Sequence, residues 1–287
     1  MAIDFTFPPD VEDVRLAMRA LVRQEVAPAE ERLVAEGAGR AAWRAELDRL
    51  RGRARELGLW LPHMPRDWGG AGLGPTALAA VSAEAAGARF GGYVVNCYAP
   101  DEGNMHTLLH FGTPDQHERY LRPLCEGTAR SCFAMTEPEV AGSDPTLMQT
   151  RAELEGDEWV VNGHKWFISG ARGAKFAILL ARTEDDPEVP QAATTAFIVD
   201  TASPGWEVVR DIETMSGSHN HCEIRITDLR VPAANLLGGR GQGHRLGPAR
   251  LAHCMRWLGQ AESALDLMVE RATERYSHGS VLADKQG

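Results

Sequence analysis

Cys132-Phe-Ala-Met-Thr-Glu-Pro-Glu-Val-Ala-Gly-Ser-Asp144 is the stretch on which the reading of this chain turns. It opens as a short apolar run, bends through Pro138, and closes in the small and hydroxyl residues Ala141-Gly142-Ser143. Small side chains let a backbone come close to a ligand, and the exposed N–H and O–H groups then serve as donors. A second apolar run, Phe167-Ile-Ser-Gly-Ala171, ends in the same way. Two such strand ends fit the two sides of one flat ligand with a polar rim.

The rest of the chain frames that pair. A length of 287 residues suits about two domains with their own cores. Apolar content of 44% and charged content of 24% are ordinary for a globular chain. The net charge of −10 argues against a general nucleic-acid binder, so an anionic ligand would need locally placed Arg or Lys. Five cysteines (Cys97, Cys125, Cys132, Cys222 and Cys254) are scattered and form no C-x-x-C pair, which favours a reduced, cytoplasmic protein. The first residues lack a basic and then apolar leader, and no run of 18 apolar residues exists, so neither a secretion signal nor a membrane span is expected.

The hydrophobic period divides the chain into three. Residues 1–127 read as an all-α domain. Its helices cover Val11 to Val34 with Asp10 as N-cap, Ala41 to Leu59 ending near Gly58, a run from Pro75 to Ala88, and roughly Val95 to Phe111. A last helix is capped by Thr113 with Pro114 at its first position, and stops at Gly127. Residues 128–238 read as an antiparallel β-barrel or sandwich. Its runs are Trp159–Val161 and His164–Ile168 joined by an Asn162-Gly163 turn, then Phe176–Ala181, Ala196–Val199, Trp206–Val209 and Cys222–Ile226. The acidic Glu184–Glu188 segment reads as a solvated connection. Residues 239–287 open a further helical bundle: Leu251, Met255, Leu258, Ala261, Leu265 and Met268 form an apolar stripe on a helix running to about Tyr276. The fold class expected is thus α+β. The stripe is long enough to call for partner helices beyond those of the first domain.

Several chemistries are disfavoured by spacing. No H-E-x-x-H or paired Cys motif suggests a metal site, and His219-Asn-His221-Cys222 has the wrong ligand spacing for zinc. Gly142-Ser143-Asp144 lacks the flanks of a nucleophile elbow. Gly239-Arg-Gly241-Gln-Gly243 has no β-α-β unit around it. The two strand ends remain. Phe167 packing on a ring face, with Thr136 and Ser169 bonding its edge, suits an isoalloxazine.

Thr136-Glu-Pro138 with Gly142-Ser-Asp144, then Asn162-Gly-His-Lys165 with Phe167-Ile-Ser169, resemble the signatures of the acyl-CoA dehydrogenase family. Val231-Pro232, Asn235-Leu-Leu-Gly238 and Gly241-Gln-Gly243 are similar to that family's exit from its β domain. Arg275, Gly279, Leu282 and Gln286 match its next helix end, so the resemblance spans nearly the whole chain. Leu246-Gly-Pro-Ala-Arg250 with His253-Cys-Met-Arg256 resembles a branch related to the human members ten and eleven.

The resemblance implies FAD as cofactor and α,β-dehydrogenation of an acyl-CoA thioester to a trans-2-enoyl-CoA, with hydride passing to flavin N5. It implies an electron-transferring flavoprotein or similar acceptor, and a homodimer or homotetramer. By the same resemblance Phe133, Met135, Thr136, Gly142, Ser143, Phe167, Ile168 and Ser169 line the flavin, with Ser169 near N5. Ser143 also touches CoA, Arg250 lies by the substrate, and Arg275 and Gln286 reach a neighbouring subunit's FAD. Phe167 stands where the family usually has Trp, and His278 where it has Phe.

The family's usual base lies beyond the matched segment, and the position used by some members is Ala249 here, which abstracts no proton. The chain is therefore expected to be truncated at its C-terminal side, with no base assigned. Glu137 is expected to be structural, and no pattern places Glu84 or Glu102 at the flavin. The alternatives are a non-catalytic subunit or pseudoenzyme, with a second subunit supplying the missing helices, or a related flavin oxidase or monooxygenase.

Overall fold

In a computed structural model, residues 6–184, 194–215, 220–241 and 246–285 are described, except for the side chains of Pro145 and residues 246–252. They form two compact units, residues 1–98 with 247–287, and residues 99–246.

In the first unit, α1 (Pro9–Leu21) starts with Pro9 in its first turn, where a missing N–H costs nothing. No side chain caps it, so Asp10 is a first-turn acid complementing the helix dipole and not the expected N-cap. The helix runs through a π turn, Val22–Val26, into α2 (Ala27–Ala35). Pro28 lies just beyond that turn, and Pro123 just beyond a second one at His117–Leu121. A proline cannot donate to the carbonyl four residues back, and a widened turn accommodates the shift in bonding.

Next come α3 (Arg40–Glu56), α4 (Pro75–Ala85) and α5 (Gly91–Val94). Their core joins Met18, Leu21, Leu50, Ala54, Val81 and Val94. The helix expected from Val95 does not form there. Asn96 takes a left-handed backbone at φ 52°, and helix begins again only after Pro100.

Beyond the β region, α9 (Leu246–Glu274) packs back on this unit with an unexpected face. A Cβ on Gly259 would lie 1.9 Å from the Ala83 carbonyl oxygen, and Ser263 Oγ donates to the Gly87 carbonyl at 3.0 Å. Arg256 is buried on the same side, its guanidinium 5.7 Å from the Tyr98 ring centre. The apolar stripe faces outward, with Leu258, Leu265 and Met268 respectively 48%, 58% and 68% exposed. A short hairpin, β9 (Tyr276–Ser277) with β10 (Ser280–Val281), follows.

The second unit starts with α6 (Asp101–Phe111), α7 (Pro114–Gln116) and α8 (Arg122–Glu126). Thr113 caps as expected, in a reciprocal box with Gln116, and Gly127 ends the helix at φ 75°. These helices are stitched to the sheet by buried polar groups. Asp101 accepts from Ser131 N–H and Oγ–H at 2.8 and 2.6 Å, and Asn104 donates to Ser131 Oγ and the Cys132 carbonyl.

The strands are β1 (Ser131–Ala134), β2 (Arg151–Glu155), β3 (Glu158–Ser169), β4 (Phe176–Arg182), β5 (Thr194–Asp200), β6 (Trp206–Ile212), β7 (His221–Pro232) and β8 (Leu236–Leu237). Their order is β6-β7-β3-β2-β4-β5-β8, with β1 added beside β4. The antiparallel expectation holds for the other pairs, but β1 and β2 each run parallel to β4, so the sheet is mixed. Its core gathers Trp159, Val161, Ile168, Leu179, Phe197, Ile224 and Leu229.

The Asn162-Gly163 turn is overturned. β3 continues through both residues, and the hairpin lies earlier, at Gly156-Asp157 between β2 and β3, with Gly156 at φ 66°. Gly163 serves close approach instead: a Cβ there would lie 2.2 Å from Thr150 Oγ1. Asn162 bonds across to the backbone N–H of Asp228 at 2.8 Å. Of the acidic connection, only Glu184 falls within the described residues.

Candidate functional site

The ends of β1 and β3 meet at one joint in the second unit. The Trp166 N–H donates to the Thr136 carbonyl at 3.0 Å, and the Thr136 hydroxyl donates to the Trp166 carbonyl at 2.6 Å. The two stretches singled out in the sequence are thus brought side by side. Gly142 folds the following loop back on the joint, since a Cβ there would stand 3.0 Å from Thr136 Cγ2. The loop then closes on Asp144, which accepts from Thr146 N–H and Oγ–H at 3.0 and 2.6 Å. Ser143 is left exposed at its tip.

β3 is irregular here. Its register against β7 slips between Lys165 and Ile168, and Phe167 takes a left-handed backbone at φ 53°. A bulky residue in that region is costly unless its surroundings impose it. The slip turns the Phe167 ring outward, 44% exposed, while Ile168 returns to the core at 1%. Trp166 braces the ring edge-on, with centroids 5.0 Å apart. Ser169 is half-buried, and its hydroxyl lies 2.8 Å from His221 Nδ1 directly across on β7.

Below the joint lies a buried ion pair. Lys165 Nζ lies 2.8 Å from Glu137 Oε1 and also donates to the Met135 carbonyl at 2.9 Å. Glu137 further accepts from Gln149 N–H, Thr150 N–H and Thr150 Oγ–H at 2.6, 2.9 and 2.5 Å. Burial opposes its charge, but the Lys165 ammonium and these donors outweigh it and hold the carboxyl below its usual range. Burial in turn pushes the Lys165 ammonium well below its ordinary value. Glu137 is therefore structural, as expected, with its lone pairs committed. Glu84 is likewise taken up, by Arg15 and Arg19.

The other sequence candidates are placed as follows. Phe133 is half-buried on β1, opposite Ile178. Met135 reaches the site's support through its carbonyl. Ile168 has its side chain in the core, so any ligand contact from it is through main chain. Arg275 is exposed just past α9, in the first unit. Gln286 and the side chains of Ala249 and Arg250 lie outside the described residues. Trp166 carried no signal in the sequence, His164 stood there only as part of the Asn162–Lys165 signature, and His221 only as a rejected zinc ligand. A usable signal was the charge order: Glu137 and Glu139 face Lys165 and His164 across the joint.

The donor set suits a flavin. Phe167 offers an outward aromatic ring, and Ser169 and Ser143 offer hydroxyls that are half-buried and exposed respectively.

Three family models match in order: "Acyl-CoA dehydrogenase, N-terminal domain" over residues 8–128, "middle domain" over 132–229, and "C-terminal domain" over 238–287. A solved structure of a putative acyl-CoA dehydrogenase from Mycobacterium abscessus superposes with a TM-score of 0.90 at 34% identity, covering 99% of this chain and 74% of that one. The chain belongs to the acyl-CoA dehydrogenase family. Within it, the chain is 36% identical over 290 residues to acyl-CoA dehydrogenase family member 11 of Gallus gallus. It is 35% identical over 295 residues to family member 10 of Mus musculus. These matches agree with the branch resemblance. The alignments take in 94% and 96% of this chain but 37% and 27% of those relatives, so the chain spans about a third of their length.

Proposed function

We propose that this chain binds FAD on the face formed by Phe133, Met135, Thr136, Gly142, Ser143, Phe167 and Ser169, with the Ile168 main chain alongside. Bound FAD would supply the hydride acceptor for α,β-dehydrogenation of an acyl-CoA thioester to a trans-2-enoyl-CoA. The observation that carries this reading is the Thr136–Trp166 joint, which sets the exposed Phe167 ring beside the hydroxyl of Ser169. Thr136 fixes the joint, Phe167 offers an aromatic face, and Ser169, steadied by His221, offers a polar edge. Ser143 is exposed on its loop, and we assign it to cofactor and CoA together on the family resemblance. We assign Arg250 to the substrate and Arg275 and Gln286 to a neighbouring subunit's FAD on the family resemblance alone.

Proton abstraction is assigned to none of these residues. Glu137 and Glu84 are both committed to cations, which supports a second reading, a binding subunit that needs a partner for turnover. The exposed apolar residues of α9 support assembly with further copies or with a second subunit. An electron-transferring flavoprotein or similar acceptor and a cytoplasmic compartment complete the proposal. All five cysteines are free thiols, in keeping with the latter. No described helix is long and apolar enough to cross a membrane.

The test is titration of the purified chain with FAD, followed by flavin fluorescence, with Phe167→Ala alongside. Saturable binding weakened by the substitution supports the reading. A folded chain that leaves FAD fluorescence unchanged overturns it. Oxidation of an acyl-CoA with a dye acceptor by the chain alone would remove the second reading.

A further inference from the structure

One imidazole in the sheet unit stands between two carboxylates. His164 Nδ1 lies 2.7 Å from Glu139 Oε1, and its Nε2 lies 2.9 Å from Glu223 Oε1. An ionised carboxylate only accepts hydrogen bonds, and a neutral imidazole has a single N–H to give. Both short contacts hold together only when both ring nitrogens carry protons. We infer that His164 is an imidazolium clamp that fastens the Glu139–Ser143 segment to the sheet and so orders the loop presenting Gly142 and Ser143. That this loop is a flavin wall rests on the function proposed above; the clamp itself does not.

The surroundings set what happens when the proton leaves. Glu139 comes from the loop after β1, Glu223 from β7, and Arg210 from β6, where its Nε donates to Glu223 Oε2 at 2.6 Å. Arg225 is the cross-strand partner of His164 on β7, while Lys165 is turned into the interior. Partial burial disfavours the imidazolium, but the hydrogen bonds and charges of Glu139 and Glu223 outweigh it and raise His164 above the usual imidazole range. Glu223 keeps Arg210 if His164 becomes neutral. Glu139 has no other hydrogen-bond partner among the described residues, so its tether is the one released. Among the described residues the loop then keeps its inner ties, the Asp144 N–H to the Ala141 carbonyl, the Thr146 bonds to Asp144 and the Leu147 N–H to the Asp144 carbonyl.

His164 is thus a positioning residue, and the clamp loosens as pH rises through its raised pKa. The experiment is amide hydrogen exchange of the full chain at pH values on either side of that transition, normalised for intrinsic exchange, on wild type, His164→Gln and Glu139→Gln. The expected result is about tenfold faster exchange of the loop's hydrogen-bonded amides, Asp144, Thr146 and Leu147, at the higher pH in wild type, the yield of one charge-assisted hydrogen bond. Both variants should show the fast rate at either pH, with protection in β3 and β7 unchanged. Equal protection of the wild-type loop at both pH values would overturn the clamp, as would wild-type protection in Glu139→Gln. The wild-type series decides the matter even if His164→Gln does not fold. FAD affinity measured on the same samples separates the two readings. Loss of loop protection in a chain that never binds FAD supports the clamp and sinks only the flavin assignment.

Discussion

Gly163 of β3 sits so close to Thr150 that a Cβ on it would stand 2.2 Å from the threonine hydroxyl. That hydroxyl donates to Glu137, and Glu137 holds Lys165. A glycine in mid-strand therefore makes room for the group that helps satisfy a buried carboxylate. Gly163→Ala should cost about 1–3 kcal/mol, the usual penalty of overpacking. The cost should shrink when Thr150→Ala is made in the same chain, a coupling that denaturant midpoints of the four proteins would reveal.

Breaking the buried pair should be more damaging. Lys165→Met strands an ionised Glu137 with three donors left, a loss of about 3–5 kcal/mol. Replacing both partners, Lys165→Met with Glu137→Gln, should recover part of it. The pH dependence follows from the depressed carboxyl. Glu137 contributes stability above its unfolded pKa, and that contribution drains away as pH falls through the lower folded value. Urea midpoints measured from neutral pH downward should fall in wild type and fall less in Glu137→Gln.

At the candidate site, binding and stability should separate. Phe167 is 44% exposed, so Phe167→Ala should change stability by less than about 1 kcal/mol. Its effect on FAD affinity should be about tenfold, the worth of one stacked aromatic face. Ser169→Ala should weaken FAD binding while leaving the circular dichroism spectrum intact, since the hydroxyl touches His221 at the strand edge and no core group.

The long helix α9 offers a contrast between its two sides. Leu265→Lys with Met268→Lys, both on the outward stripe, should leave the melting temperature of the chain nearly unchanged and reduce self-association in size-exclusion chromatography. Gly259→Ala should lower the melting temperature by several degrees, because a methyl there meets the Ala83 carbonyl at 1.9 Å.

The elements most legible in the sequence were those whose signal is local. Thr113 with Gln116 fixes a capping box within four residues, and the apolar runs at Phe176–Ala181 and Ala196–Val199 sit inside β4 and β5. What escaped depends on distant neighbours. Asn162-Gly163 carries a strong turn preference, yet pairing with β7 and the pressure of Thr150 keep it extended. β2 went unread because Arg151, Glu153 and Glu155 look like a solvated loop, and only pairing with β3 makes them a strand. At the site, Thr136, Phe167 and Ser169 were visible as residues of the right kind. Their support was not: Lys165 with Glu137 and His164 with Glu139 are 28 and 25 positions apart in the chain.

The slip in β3 between Lys165 and Ile168 gives the strand a spare residue. Deleting either Trp166 or Phe167 would shorten it to regular alternation, with Ile168 still directed inward and Ser169 still opposite His221. A single lost codon would thus remove one of the two packed rings, and the left-handed turn at Phe167 with it, while sparing the architecture. A descendant carrying such a deletion would keep an outward ring on a regular strand and have lost the neighbour that braces it edge-on.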